Sequence, residues 1–306
     1  MRSLGKRPEG ARLERIKGSP LWDGERFRNM HPVIPGLRDP KASMPALHEF
    51  LCGGERRVPR GPLPSVDLVL VSHDHYDHLD YPTIRELAKR DAPFVTSLGV
   101  GAHLEAWGVR PERIVELDWW ESYELPNTEL TVTAAPSQHF SGRALKDRNA
   151  TLWSSLVIRS QRHAVFFSGD TGLTTEYQTI RERLGPFDLV MLEVGAFHPA
   201  WGDIHLGPEN ALEALALLGG GPFLPVHWGT FSLAMHAWDQ PAETLLRLGP
   251  KAGARLVMPR LGEPVEPAHA EGVEPWWRVV DMTALKPEPA TPAPTTLPKA
   301  MSWPID

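Results

Sequence analysis

The stretch VDLVLVSHDHYDHLD, residues 66–80, joins a valine-rich apolar run to a loop of three histidines and three aspartates. A short, nearly continuous apolar run of this kind is typical of a buried strand. Asp80 suits the N-cap of the segment that follows, DYPTIRELAKR, and Pro82 falls in the first turn of that predicted helix. The sequence therefore predicts a strand, a loop dense in metal ligands and a helix in direct succession.

Strand-like and helix-like segments alternate from this stretch as far as residue 259. The clearest strands are PFVTS (93–97), ELTVTAAP (129–136), RHAVFFSGD (162–170), FDLVMLEV (187–194) and GPFLPV (221–226). The clearest helices are TTEYQTIRERLG (174–185), GPENALEALALLG (207–219) and PAETLLRLG (241–249). Strands that alternate with helices indicate an α/β protein.

The two ends of the chain differ in composition from its centre. Residues 1–20 are polar and unpatterned, and we predict a disordered N-terminus there. Residues 21–64, punctuated by glycine and proline, are assigned to an N-terminal extension, and residues 65–284 to the folded domain. Residues 285–306 belong to a stretch rich in proline, alanine and threonine, which favours an extended tail.

Charge and composition exclude several classes of protein. The net charge of −6 gives no basic surface for nucleic acid. The single cysteine, Cys52, cannot form a disulfide within the chain, and no apolar run has the length of a membrane-spanning helix. The basic start lacks the apolar core of a secretory signal, so we expect a cytoplasmic protein. Peripheral contact with a membrane stays open, because it leaves only a weak mark on a sequence.

Four histidine- or aspartate-bearing loops follow predicted strands. His73 and His75 are two positions apart, so on an extended backbone they point to the same side. His139 in PSQHF, Asp170 in SGDTG and His227 in PVHWGTF each come directly after another strand. Because functional groups of α/β proteins gather at the carboxyl ends of strands, we expect these loops to converge on one cleft.

The ligand types indicate a pair of metal ions. His73, His75 and His139 supply one face of three imidazoles, whereas Asp77 and His78 turn away toward a second ion. Asp170 has two carboxylate oxygens with which to bridge both ions, and His227 completes the second site. Imidazole and carboxylate without thiolate favour zinc, with manganese or iron as alternatives. Such a pair lowers the pKa of a shared water to about 7, which predicts hydrolytic chemistry.

Three other residues receive less specific interpretations. The guanidinium of Arg143, just beyond His139, matches phosphate oxygens and is a candidate substrate-binding group, although a surface ion pair would explain it equally well. Asp74 is expected to face solvent or to cap a helix. His103 is interpreted as an ordinary histidine.

The motifs together resemble the N-acylphosphatidylethanolamine phospholipase D-like branch of the metallo-β-lactamase superfamily. The segments that carry the resemblance are RFRNMHP, SHDHYDHLD, ELDWW, PSQHFSGR, FFSGDTG, HLGPENAL and PVHWGTF. The resemblance implies an αββα sandwich with one metal held by His73, His75, His139 and Asp170 and a second held by Asp77, His78, Asp170 and His227. His205 stands where this family keeps an active-site histidine, and we expect Asp77 and His205 to serve catalysis.

The resemblance implies hydrolysis of the phosphodiester of N-acylphosphatidylethanolamine, which would release N-acylethanolamine and phosphatidic acid. An alternative keeps the site and changes the substrate to a small phosphorylated lactone or a cyclic phosphodiester. An iron oxidoreductase is less attractive. The di-iron members of the superfamily resemble a His-x-Glu-x-Asp pattern at this loop, and this chain has His75 in the place of the glutamate.

One part of the family pattern is missing from the sequence. Residues 1–65 contain no counterpart of the family's Trp-x-Gly-His-Ala/Ser-Thr strand or of the strand that ends in Asp-Pro. The expected sandwich therefore lacks part of its first N-terminal strands. Because such a loss would weaken the support of the ligands, a zinc-binding protein with impaired catalysis is a third interpretation.

Overall fold

The chain divides into two compact units, residues 1–273 and 274–306, and the described part of the first contains ten strands in two sheets. A computed structural model describes residues 5–29, 66–144, 146–198, 201, 203–230, 233–270 and 272–279. In the second unit the described residues form a 3₁₀ turn, Trp276–Val279, with the rings of Trp276 and Trp277 in edge contact at 5.7 Å.

A short helix near the N-terminus, α1 (Gly10–Lys17), corrects the prediction that residues 1–20 are disordered. Its Ile16 is fully buried in a cluster with Phe27 and Trp153. Arg12 adds ion pairs on the same helix, with Nε 2.6 Å from a carboxylate oxygen of Glu116. The helix was missed because one buried side chain and paired charges leave no apolar period in the sequence.

The first sheet is parallel, with the order β1 (Val69–Val71), β2 (Phe94–Ser97), β3 (Ile114–Leu117). Helices α2 (Tyr81–Leu87) and α3 (Gly101–Ala106) lie in the connections after β1 and β2. Ile84 of α2 and Leu104 of α3 are buried in one cluster with Phe94 of β2. The predicted cap is confirmed, since the Asp80 carboxylate accepts the N–H of Thr83 at 2.9 Å.

The second sheet contains seven strands in the order β10-β9-β8-β7-β6-β5-β4. Its strands are β4 (Ser122–Glu124), β5 (Thr131–Ala135), β6 (Ser155–Arg159), β7 (Ala164–Phe167), β8 (Leu189–Glu193), β9 (Pro222–Val226) and β10 (Arg255–Leu256). The pairs from β7 to β10 are parallel and those from β4 to β7 are antiparallel. The sheet is therefore mixed, with β7 at the change of direction.

Alternating side chains on β7 show how the layers are stacked. Phe166 points to the helical layer and contacts the ring of Tyr177 on α4 (Glu176–Leu184), with ring centroids 6.3 Å apart. Phe167 points the other way, into the cluster that joins the two sheets. The remaining helices, α5 (Gly207–Leu217) and α6 (Gln240–Leu248), pack against each other, and α5 also contacts β8.

The two sheets share an apolar core. Val95 and Leu117 of the first sheet are buried in one cluster with Val132, Ala134 and Leu156 of the second. Helices cover the outer faces, so the predicted αββα sandwich is confirmed. This stacking aligns the loops after β1, β5, β7 and β9 at one edge of the sandwich.

Some predictions fall on parts of the chain outside the described residues. The missing N-terminal strands and most of the predicted extension concern residues 30–65, and the proline-rich tail concerns residues 280–306. Among the described helices, none has the length and apolar character needed to cross a membrane.

Candidate metal centre

The loop after β1 presents its histidines in two directions. Leu79 N–H donates to the carbonyl of His75 at 2.8 Å, and His78 N–H donates to the same carbonyl at 3.1 Å. These bonds turn the chain sharply between His75 and α2. His73 and His75 therefore precede the turn on extended backbone, whereas Asp77 and His78 lie within it.

The first candidate group contains His73, His75, His139 and Asp170. Nδ1 of His75 lies 3.0 Å from Nε2 of His73 and 3.2 Å from Nε2 of His139. A carboxylate oxygen of Asp170, Oδ2, lies 3.9 Å from His73 Nε2 and 3.7 Å from His139 Nε2. The structure thus brings together the four side chains predicted for the first metal.

The second candidate group contains Asp77, His78, Asp170 and His227. Nε2 of His78 lies 3.1 Å from Asp170 Oδ2, 3.5 Å from Asp77 Oδ2 and 3.2 Å from Nε2 of His227. Nε2 of His227 lies 3.3 Å from Asp77 Oδ2 and 3.5 Å from Asp170 Oδ1. Asp170 belongs to both groups, which is the position that a bridging carboxylate requires.

Hydrogen bonds to the opposite side of three imidazoles fix how they face the cluster. His73 Nδ1 lies 3.0 Å from Ser72 Oγ. His139 Nδ1 donates to the carbonyl of Ile204 at 2.8 Å, and His227 Nδ1 donates to the carbonyl of Gly195. The second nitrogen, Nε2, is therefore turned inward in each ring. Metal-binding histidines are commonly oriented by such outer bonds.

The inner atoms fit a pair of cations better than a hydrogen-bonded network. Nδ1 of His75 lies 3.0 Å from the inner nitrogen of His73 and 3.2 Å from that of His139, close to the separation of about 3.3 Å expected for ligands of a tetrahedral ion with bonds of about 2.0 Å. Asp170 Oδ1 is buried and accepts no hydrogen bond from any described residue. A buried carboxylate oxygen without a donor indicates a site shaped for a cation.

The histidines of the first group have lowered pKa values, whereas His227 of the second group has a raised pKa. Burial, assisted by the charges of neighbouring histidines, holds the pKa of His73 well below its usual value. Burial likewise holds the pKa of His139 well below its usual value. Burial would also lower the pKa of His227, but the charge of Asp170 and the hydrogen bond to Asp77 raise it to about 9. The first group is therefore ready to coordinate a cation, whereas the second must lose a proton.

The backbone at His227 is in the left-handed region, with φ of +64°. This conformation is uncommon for a residue with a Cβ and is retained where surrounding structure enforces it. It directs the imidazole back under the sandwich edge immediately after β9. The strain thus coincides with a residue of the second group.

His205 lies beside both groups and has a buried carboxylate behind it. Its ring centroid is 5.0 Å from that of His139 and 5.8 Å from that of His227. His205 Nδ1 lies 3.1 Å from Oε1 of Glu193, which is fully buried at the end of β8. Glu193 was not predicted from the sequence. A lone acid at the end of an apolar strand, in LVMLE, is the signal that identifies it.

Arg143 is not at the cleft, which corrects its assignment to substrate binding. Its guanidinium is 4% exposed and donates to the carbonyls of Asp74 at 2.6 Å and Leu79 at 2.9 Å. The charged group also lies over the rings of Tyr76 and Trp107, at 4.0 and 4.9 Å from their centroids. Arg143 therefore supports the histidine loop from beneath, since a buried guanidinium needs carbonyl and aromatic partners.

Asp74 is also buried, contrary to the expectation that it faces solvent or caps a helix. One of its oxygens accepts Gly142 N–H at 2.8 Å, and the other accepts the hydroxyl of Thr151 at 2.9 Å and Nε2–H of His103 at 3.2 Å. His103 Nδ1 in turn accepts the N–H of Lys6 at 2.9 Å. His103, interpreted from sequence as an ordinary residue, belongs to this network beneath the ligand loop.

A cavity of about 360 Å³ borders the second group, and Asp77 and His227 line it. Much of its wall is apolar and comes from β9 and from the segments that follow β9 and β10, including Leu224, Val226, Val257, Met258 and Leu261. Arg260 and Glu263 add charged groups to the lining beside Asp77. The cavity can thus hold an apolar group next to one candidate metal position.

Several curated proteins resemble this chain. An uncharacterized protein of Mycobacterium tuberculosis is 47% identical over 71% of this chain and 59% of its own length. N-acyl-phosphatidylethanolamine-hydrolyzing phospholipase D 1 of Caenorhabditis elegans is 34% identical over 56% of this chain and 51% of its own length. The mitochondrial N-acyl-phosphatidylethanolamine-hydrolyzing phospholipase D of Saccharomyces cerevisiae is 32% identical over 76% of this chain and 53% of its own length. The chain thus spans a little over half the length of these relatives.

Solved structures share the fold at low identity. Igni18, a metallo hydrolase from Ignicoccus hospitalis, has a TM-score of 0.53 with 24% identity, over 65% of this chain and 78% of its own. An isothiocyanate hydrolase from Delia radicum gut bacteria has a TM-score of 0.53 with 22% identity, over 69% of this chain and 84% of its own. The family profile of the beta-lactamase superfamily domain matches residues 39–228. The chain therefore belongs to the beta-lactamase superfamily and combines the metallo-β-lactamase fold with a histidine–aspartate cluster able to bind metal ions.

Proposed function

We propose that this protein is a binuclear zinc hydrolase that cleaves the phosphodiester of N-acylphosphatidylethanolamine. The observation that carries the proposal is the largely apolar cavity lined by Asp77 and His227, because it offers a lipid chain a place beside the second group of ligands. The similarity to two enzymes named for this reaction, at 34% and 32% identity, supports the same substrate class.

The donor set favours zinc over other divalent ions. Five imidazoles and two carboxylates surround the two candidate positions, and no thiolate is among them. Two bound zinc ions would lower the pKa of a water to about 7 and polarise a phosphoryl oxygen. Asp170 holds the two positions together, and Asp77 with His227 presents the second position to the cavity.

His205 has the proposed role of proton donor to the leaving group. Its ring lies beside His139 of one group and His227 of the other, so a phosphate bound between the groups would lie next to it. A water that has lost one proton to solvent adds through its oxygen to phosphorus, and the bond from phosphorus to the ethanolamine oxygen breaks. The oxygen that leaves takes the proton from His205, and the products are N-acylethanolamine and phosphatidic acid.

The reaction is tested on zinc-loaded protein with vesicles that contain N-acylphosphatidylethanolamine. We expect N-acylethanolamine and phosphatidic acid in equal amounts, with turnover that depends on the vesicle surface. A soluble cyclic phosphodiester and a phosphorylated lactone serve as comparison substrates. Faster turnover of either comparison substrate than of the lipid would contradict the proposal. Zinc binding without hydrolysis of any of the three would support a non-catalytic protein instead.

Zinc affinity is expected to rise with pH. In the metal-free protein the pKa of His227 is about 9 and that of His78 is raised well above its usual value, although burial alone would lower both. Protons on these rings compete with zinc at low pH and are lost as the pH rises, so affinity should increase about tenfold or more per unit up to about pH 9. Chelator competition at several pH values measures it, and a flat profile would contradict the expectation.

A histidine outside the cluster provides the control for this titration. His163 lies on the surface with 70% of its side chain exposed. His163→Asn should leave both the affinity and its slope with pH unchanged, which assigns the slope to the buried rings.

A further inference from the structure

One buried carboxylate contacts three loops of the candidate centre. Oε1 of Glu193 accepts the N–H of Thr171 at 3.1 Å and the N–H of Leu206 at 3.1 Å. Both oxygens lie within reach of His205 Nδ1, at 3.1 and 3.2 Å, and Oε2 is 3.8 Å from His227 Nδ1. Glu193 therefore contacts the neighbour of Asp170, the neighbour of His205 and His205 itself.

The carboxylate fixes which nitrogen of His205 carries hydrogen. A carboxylate without a proton can only accept, and two backbone N–H groups already occupy Oε1. His205 Nδ1 must therefore carry the hydrogen in this contact, whether the ring is neutral or cationic. Nε2 is then the nitrogen at which the ring gains or loses a proton.

Burial makes the charge of Glu193 significant. The side chain is fully buried, and an isolated carboxylate is costly in such a place unless positive charge lies close by. No lysine or arginine among the described residues is paired with it. The positive charge that balances it must come from His205, from His227 or from cations held by the two groups.

We propose that Glu193 is a positioning residue that holds His205 as the Nδ1–H tautomer, with Nε2 toward the paired metal groups, and fastens the Asp170 loop to the loop that carries His205. The inference rests on the proposed function only for its effect on turnover. The tautomer and the attachment of the loops are properties of this chain that exist with or without a lipid substrate.

The central test is the histidine ¹⁵N spectrum of the zinc-loaded protein, with the His205 signals assigned by their loss in His205→Asn. We expect the Nδ1–H form in the parent protein. In Glu193→Gln the amide oxygen can still accept both backbone N–H groups, while its NH₂ group faces Nδ1 and donates to it. The variant should therefore show the Nε2–H form. An Nε2–H form in the parent would overturn the proposal without any variant.

Turnover and zinc affinity give independent readouts. Glu193→Gln should lower kcat by about 10²- to 10⁴-fold with little change in KM. The carboxylate lets His205 carry hydrogen on both nitrogens, so Nε2 can give up its proton and leave a neutral Nδ1–H ring. In the variant the amide NH₂ group blocks Nδ1, and loss of the Nε2 proton would leave an imidazolate. Zinc affinity should fall about 10-fold, because the variant loses a buried negative charge 3.8 Å from His227 Nδ1. In a His205→Ala background the loss of kcat caused by Glu193→Gln should disappear. An equal loss in both backgrounds would overturn action through His205.

Glu116 offers a matched control in the other sheet. It is a nearly buried carboxylate that accepts the backbone N–H groups of Gly99 at 2.7 Å and Gly101 at 3.0 Å. Glu116→Gln should lower the melting temperature and leave the His205 spectrum and zinc affinity unchanged. A His205 spectrum altered equally by both variants would overturn the specific role of Glu193. A parent protein with the expected spectrum but no lipid hydrolysis would refute the proposed function alone.

Discussion

Asp170→Asn will remove at least one ion of the proposed zinc pair and reduce hydrolysis by about 10³-fold or more, which corresponds to about 4 kcal/mol of transition-state stabilisation. Its two oxygens lie within 3.1–3.9 Å of nitrogens from four histidines, and Oδ1 has no other partner among the described residues. An asparagine has no charge and only one acceptor oxygen, so it cannot bridge two cations.

Elemental analysis and a phosphodiesterase assay on the same preparation measure this effect. Asp80→Asn is the matched control, because Asp80 belongs to the same histidine loop but accepts the N–H and hydroxyl of Thr83 as a helix cap. Asparagine caps helices about as well as aspartate, so metal content and activity should remain. Full zinc content and turnover in Asp170→Asn would refute the bridging role.

Asp74→Ala is expected to destabilise the protein by about 3 kcal/mol and to weaken zinc binding about 10- to 100-fold. The carboxylate lies between His73 and His75 in sequence and is 2% exposed. Its removal leaves Gly142 N–H, the Thr151 hydroxyl and His103 without their buried acceptor. The backbone that orients both histidines loses its support at the same time.

Chemical denaturation of the metal-free protein and zinc competition separate the two effects. Asp188 supplies the comparison, since it accepts Ala164 N–H at 2.8 Å but has 59% of its side chain exposed. Asp188→Ala should cost less than about 1 kcal/mol and leave zinc affinity unchanged. Equal effects of the two substitutions would show that Asp74 contributes no more to stability and zinc binding than the exposed Asp188 does.

The described part of the sandwich could be predicted because its signals are local. Valine-rich runs such as residues 69–71 and 189–193 mark buried strands, and each predicted ligand follows such a strand. The convergence of His73, His139, Asp170 and His227 follows from that placement alone, because strand ends of an α/β protein share one edge.

The supporting residues could not be predicted because their roles depend on distant partners. Asp74 and Arg143 look like surface charges in sequence, yet each is buried with partners at least 60 positions away in the chain. Glu193 carries no motif, and only the fold places it behind His205. α1 was missed for the same reason, since its docking depends on Phe27, Trp153 and Glu116 rather than on its own pattern.

The backbone N–H of Lys6 donates to His103, and His103 donates to Asp74 of the ligand loop. The segment around Lys6 therefore helps to hold that loop in place. Proteolytic trimming past residue 6, or a fusion partner that pulls this segment away, would loosen the loop from a distance. Expression vectors for this protein should therefore place affinity tags at the opposite end or behind a long spacer. Preparations clipped near residue 10 should be compared with intact protein before any loss of metal is attributed to the cluster itself.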